Sequence, residues 1–203
     1  MSTAWHRRWF LQPRVVRRWG RVVAWLVALV FALASPRAHA DGLNLTGFDL
    51  VRDEEGLLLD YTARIELPRA VEDALQKGVP LYFVAEVDVL RPRWYWRDRH
   101  IARAVRNWRL TWQPLTRVYR INLGSVSQNY DSLADALGSI QRATRWKLAD
   151  SAVLERGSGE YVEFSLRLDI SQLPRPLQIG FGGQAAWDLA LERTAFVPAP
   201  VVR

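Results

Sequence analysis

The chain has 203 residues, carries 28 Lys and Arg against 21 Asp and Glu for a net charge of +7, and contains three histidines and no cysteine. The lack of cysteine excludes disulfides, thiol catalysis and a lipid-anchored lipoprotein, and only His100 follows residue 40, which excludes a histidine-rich zinc site beyond that point. The basic balance does not point to nucleic acid, because seven arginines precede position 41 without a single acid; 28 minus 7 leaves 21 basic against 21 acidic residues, a formally neutral remainder.

Residues 1–40 read as a signal peptide. An Arg-rich start runs through Arg21, an apolar run follows from Val22 to Ala34, and Ala38-His39-Ala40 places small residues before a cleavage site between Ala40 and Asp41. As a helix the run is roughly 20 Å long, short of the roughly 20 residues that span a bilayer, which favours cleavage over anchoring. Contact with the inner membrane is then only transient, through this segment. Arg7-Arg8-Trp9-Phe10-Leu11 is similar to a twin-arginine export signal, but the apolar run begins well after it and no cofactor motif calls for folding before export. Residues 41–203 are expected to form one exported domain, periplasmic or otherwise outside the cytoplasm.

Leu43 to Val51 and the alternating run Leu57, Leu59, Tyr61, Ala63, Ile65, Leu67 predict a hairpin across the turn Asp53-Glu54-Glu55-Gly56. Pro68 opens a short helix with Val71, Ala74 and Leu75 on one face, and Gly78 stops it. Strands are predicted from Leu81 to about Arg91, from Arg99 to Trp112, from Thr116 to Leu123 and from Tyr161 to Ile170. The segment from Arg99 also fits helical spacing; the turn Gln113-Pro114-Leu115 decides for strand. Ser132 and Asp135 form a capping-box-like start for a second helix through Leu133, Leu137 and Ile140. Trp146–Asp150 and Ala186–Leu191 are shorter strand candidates, and Gly180-Phe181-Gly182-Gly183 reads as a bulge or turn. The fold class is mainly β: a single antiparallel β-sandwich-like domain with two short helices, preceded by the helical signal peptide.

Chemistry-bearing patterns are sparse. His100 reads as a surface or hairpin residue. Glu86 and Asp88 share one strand face, and as a carboxylate pair they define the alternative of an envelope hydrolase or carbohydrate-active enzyme; opposed by arginines they are a solvated face. Neither a catalytic residue nor a cofactor-binding or metal-ligating residue is assigned. The unusual string starts at Arg91 and runs through Arg93, Trp94, Tyr95, Trp96, Arg97, Asp98 and Arg99 to Arg103, Arg106, Trp108, Arg109 and Trp112, seven arginines against one acid. Guanidinium forks with aromatic faces suit phosphate, carboxylate, sugar or peptide. Arg93, Trp94, Trp96, Arg97, Arg99, Arg103 and Arg106 are therefore the candidate interaction residues, and an envelope protein or anionic envelope component the expected partner. The competing reading makes the tryptophans core or sheet-edge residues and pairs the arginines with Glu86, Asp88 and other acids.

Several strings together resemble a known family: Val71-Glu72-Asp73-Ala74-Leu75-Gln76-Lys77-Gly78-Val79-Pro80-Leu81, Arg93-Trp94-Tyr95-Trp96, Pro114-Leu115-Thr116-Arg117-Val118-Tyr119-Arg120, Ser132-Leu133, and Leu168-Asp169 followed by Gln172-Leu173-Pro174-Arg175-Pro176. In this order they are similar to proteobacterial exported proteins grouped as domain of unknown function 4390, also called proline-rich signal peptide proteins. The resemblance implies a Gram-negative envelope location and, through genes near a sensor kinase and its regulator, an association with envelope sensing. It brings no catalytic residues. The expected function is a non-enzymatic binding module; a structural subunit of an envelope assembly is a further alternative.

Overall fold

A computed structural model describes residues 42–95, 97–154, 159–173 and 187–200. The chain divides into residues Met1–His39 and a compact unit, Ala40–Arg203. The second unit begins with the hairpin of β1 (Leu43–Asp53) and β2 (Gly56–Ile65). Its turn requires glycine at position 56, where φ is +131° and a Cβ would lie 2.0 Å from the Ala149 carbonyl oxygen. Strand β2 alternates as the sequence predicts, burying Leu57, Leu59, Tyr61, Ala63 and Ile65.

Helix α1 (Arg69–Gln76) follows Pro68 and buries Val71, Ala74 and Leu75. It carries the chain to a second sheet. There β3 (Leu81–Arg91), β4 (Arg99–Gln113), β5 (Val118–Leu123) and β6 (Val126–Tyr130) form an antiparallel meander. Helix α2 (Leu133–Gln141) is capped as expected, the Ser132 hydroxyl accepting from the Asp135 N–H at 3.1 Å. It returns the chain to the first sheet as β7 (Arg142–Ala149), which pairs with the free edge of β2. Strands β8 (Tyr161–Leu168) and β9 (Ala190–Phe196) complete the second sheet beside β3. The result is two antiparallel sheets, ordered β1-β2-β7 and β6-β5-β4-β3-β8-β9, in a sandwich-like arrangement.

The inner faces meet in an aromatic contact. The Phe164 ring of β8 lies 5.0 Å from Tyr61 of β2 and 5.6 Å from Phe48 of β1, and Trp146 of β7 meets Tyr61 edge-on at 6.4 Å. The Tyr61 hydroxyl, enclosed by this cluster, donates to the Ile140 carbonyl at 2.9 Å, and burial pushes its pKa well above the ordinary phenol value.

Several elements differ from the sequence expectations; β8 ends at Leu168, because Ile170 begins a short 3-10 turn. Strand β5 begins at Val118 because Arg117 has a left-handed φ of 53° and belongs to the turn. Strand β6 was not expected: its residues are polar or exposed, and only the turn at Gly124 and pairing with β5 define it. Strand β7 starts at Arg142, directly from the helix, and bulges near Arg145, where φ is 46°. The last strand is shifted to Ala190–Phe196; core-facing positions Leu191 and Ala195 flank Arg193, which breaks the apolar alternation that marks a strand in sequence. Residue 186 and Gly180-Phe181-Gly182-Gly183 lie outside the described residues.

The aromatic contact predicts a ranking of stability losses. Phe164→Ala should cost about 3–5 kcal/mol by opening a cavity between the sheets, and Tyr61→Phe about 1–2 kcal/mol by leaving the Ile140 carbonyl unpaired. Urea unfolding of both variants measures this, and a milder loss for Phe164→Ala would place the joint between the sheets elsewhere.

Candidate interaction site at the β3–β4 hairpin

The strand alternation of β4 divides the Arg/Trp string into two groups. Ala104, Arg106, Trp108 and Leu110 stand opposite the core-facing Val87, Ala85, Phe83 and Leu81 of β3. Trp108 is accordingly buried. Arg106, on the same face, is half-buried with its guanidinium 4.7 Å above the Trp146 ring, and burial lowers its pKa. It packs over Trp146 on the core-facing side of β4, away from Arg103.

On the outward face Arg103 bridges Glu86 and lies 3.9 Å from an Asp88 oxygen. Arg167 of β8 reaches Glu86 at 3.5 Å, and His100 stands 3.5 Å from Asp88. The reading of this face as acids opposed by arginines therefore describes Arg103 as well. A shallow groove of about 320 Å³ runs here past Glu86, Asp88, Glu163, Arg167, Glu192 and Thr194. Glu86 and Asp88 project from one strand in one direction, whereas glycosidic cleavage requires two carboxyl groups flanking the scissile bond. Among the described residues, no cluster of three or more His, Asp or Glu side chains could hold a metal ion.

Different rules apply between the strands, from Pro92 to Asp98. Arg91 and Asp98 mark the two legs of the hairpin, and both are tied to the start of β8. Arg91 pairs with Glu160 at 2.6 Å, where the carboxylate is almost fully buried, and donates to the Val153 carbonyl at 3.3 Å. The Asp98 carboxylate accepts from the Arg93 backbone N–H at 3.3 Å and from the Tyr161 hydroxyl. That hydrogen bond, reinforced by burial and by the negative charges of Asp98 and Glu163, pushes the Tyr161 pKa up to about 12.

With its only acid turned to the base, the tip presents cations and rings. Trp94 is 93% exposed and Tyr95 65%, their ring centroids 5.0 Å apart at 70°. Arg93, Arg97 and Arg99 are exposed, and none forms an ion pair with a described residue. Trp96 lies outside the described residues. The candidates thus separate: Arg93, Trp94 and Arg97 share the tip, Arg99 adjoins it as the first residue of β4 opposite Arg91, and Arg103 and Arg106 lie further along β4.

A family model described as Domain of unknown function (DUF4390) matches residues 40–196. The chain belongs to the DUF4390 family. No curated protein and no solved structure matches it. A functional site in this DUF4390 domain must therefore be argued from its own geometry, and sequence reasoning alone missed three residues of the candidate site. Tyr95 sat unselected inside the string; Glu160 and Tyr161, which hold its base, are more than sixty positions away and carry no local signal.

The clamp has a titration signature. A Tyr161 pKa raised above the unfolded value near 10 favours the protonated hydroxyl, so its contribution to stability is full below about pH 10 and lost as pH rises through the folded value. Carbon-13 NMR of the Tyr161 ring should show a protonated phenol at about pH 10.5 in the native chain and a substantially ionised one in Asp98→Asn. Identical titrations would mean that Asp98 does not hold the tip.

Proposed function

We propose that this DUF4390 protein is an exported, non-enzymatic recognition module that engages an anionic partner through the β3–β4 tip. One observation carries the proposal: Trp94 and Tyr95 stand exposed between three arginines that no described acid neutralises. In a domain where 21 basic residues balance 21 acidic ones, such a local excess gives direction to association without making the whole surface adhesive. Guanidinium forks supply paired donors for phosphate or carboxylate, and the adjacent rings add contact area at little entropic cost.

Export is supported by the order of basic start, apolar run and small residues before Ala40, and by a family match that begins at residue 40. After cleavage the partner would be a protein or other anionic component of the envelope. The expected compartment makes nucleic acid an unsuitable partner.

The domain of residues 41–203, immobilised and exposed to Gram-negative envelope extract, should retain an anionic component at low salt and release it as salt shortens the Debye length from about 10 Å at 0.1 M to about 3 Å at 1 M. Arg93→Ala/Arg97→Ala/Arg99→Ala should abolish retention while moving stability by less than about 0.5 kcal/mol, because all three side chains are exposed. Equal retention by wild type and variant would refute the tip as the recognition surface.

A further inference from the structure

The shape of the tip narrows the class of partner. Small ligands take concave sites that enclose most of their surface, but Trp94 and Tyr95 are exposed, and among the described residues neither the groove on the six-stranded sheet nor the one between β1 and β9 includes them. A stable protein partner generally covers about 800 Å² on each side with a well-packed centre. The short connection from Pro92 to Asp98 is narrow for that role. A bilayer surface needs no matching concavity: it yields around a protruding ring and presents phosphates on every side of it.

The residue types match that surface. Trp and Tyr combine an apolar body with a polar edge and accumulate at the headgroup level of membranes. Here they are adjacent at the tip, in edge-on contact with each other. Arg93 precedes them, and Arg97 and Arg99 follow, so cations flank the rings where headgroup phosphates would lie. The supporting legs are fixed by Arg91–Glu160 and by Asp98 with Tyr161, and Asp98 spends its charge at the base instead of repelling an anionic surface. Among the described residues no helix is long and apolar enough to cross a membrane; contact would be peripheral.

We infer that the β3–β4 tip docks the domain on an anionic phospholipid surface, Trp94 and Tyr95 entering the headgroup layer while Arg93, Arg97 and Arg99 hold lipid phosphates. The inference rests on the recognition reading and specifies its partner, extending lipid contact beyond the transient passage expected of the signal peptide. It also separates two contributions. The arginines supply a charge-dependent term that salt screens, and the rings a contact term that salt leaves largely intact.

Flotation with lipid vesicles tests it, using residues 41–203, which hold all the described strand pairing and the whole described core. The domain should float with phosphatidylcholine vesicles containing about 30 mol % phosphatidylglycerol and not with phosphatidylcholine alone. Each arginine near an anionic surface is worth about fivefold in partitioning, so Arg93→Ala/Arg97→Ala/Arg99→Ala should lower it about 100-fold. Trp94→Ala/Tyr95→Ala should lower it about tenfold, the equivalent of about 60 Å² of ring surface at about 25 cal/mol per Å². Equal flotation with neutral vesicles, or flotation unchanged by the aromatic double substitution, would overturn the inference. So would failure to float with either vesicle; tip-dependent capture from lipid-depleted envelope extract would then preserve the recognition reading with a protein partner, and loss of that capture too would overturn both.

Discussion

The contact of Phe164 with Tyr61 is the joint on which the architecture depends. Strand β8 carries Phe164 and β2 carries Tyr61, so this pair of rings, with Phe48 of β1 beside it, links the six-stranded sheet to the three-stranded one. Without cysteine, no covalent bond can replace this contact. Its surroundings are correspondingly closed: Phe48 and Trp146 bring in the other two strands of the smaller sheet, and the Tyr61 hydroxyl finds its partner on α2. Side-chain packing, more than any network of surface charges, joins the layers.

From that joint the candidate site is reached along one strand. β8 runs from Leu168 back through Phe164 to Tyr161, and Glu160 immediately precedes it. The same segment thus packs into the centre of the sandwich and holds both legs of the β3–β4 hairpin at its end. The base of the tip is thus fixed from both legs, while Arg93, Trp94, Tyr95 and Arg97 remain exposed above it.

The parts of this arrangement that were legible in the sequence are those that local physics dictates. Alternation in β2, β3 and β8 follows from one buried and one wet face, and the start of α2 follows from Ser132 acting on Asp135. β6 has no apolar face and exists through its partner, so neither periodicity nor propensity announces it. The Arg/Trp string was conspicuous, yet its division was hidden: Arg106 and Arg103 are three positions apart and lie on opposite faces of β4. Which arginines remain unneutralised depends on Glu86, Asp88 and Glu160, supplied by strand pairing and by a segment far away in the chain.

The placement of β7 has a consequence for how the chain acquires this structure. The meander β3 to β6 pairs neighbours in sequence, but β7 closes against β2, with Leu59 opposite Trp146. Closing such a distant pairing delays folding, because the loop must be ordered before its contacts are gained. Until α2 and β7 have docked, β2 therefore has one backbone edge uncovered and the apolar residues Leu57, Leu59 and Tyr61 without their later neighbours. An uncovered β2 edge is a template for pairing with another chain, so the late docking of a single segment sets how long that edge stays open.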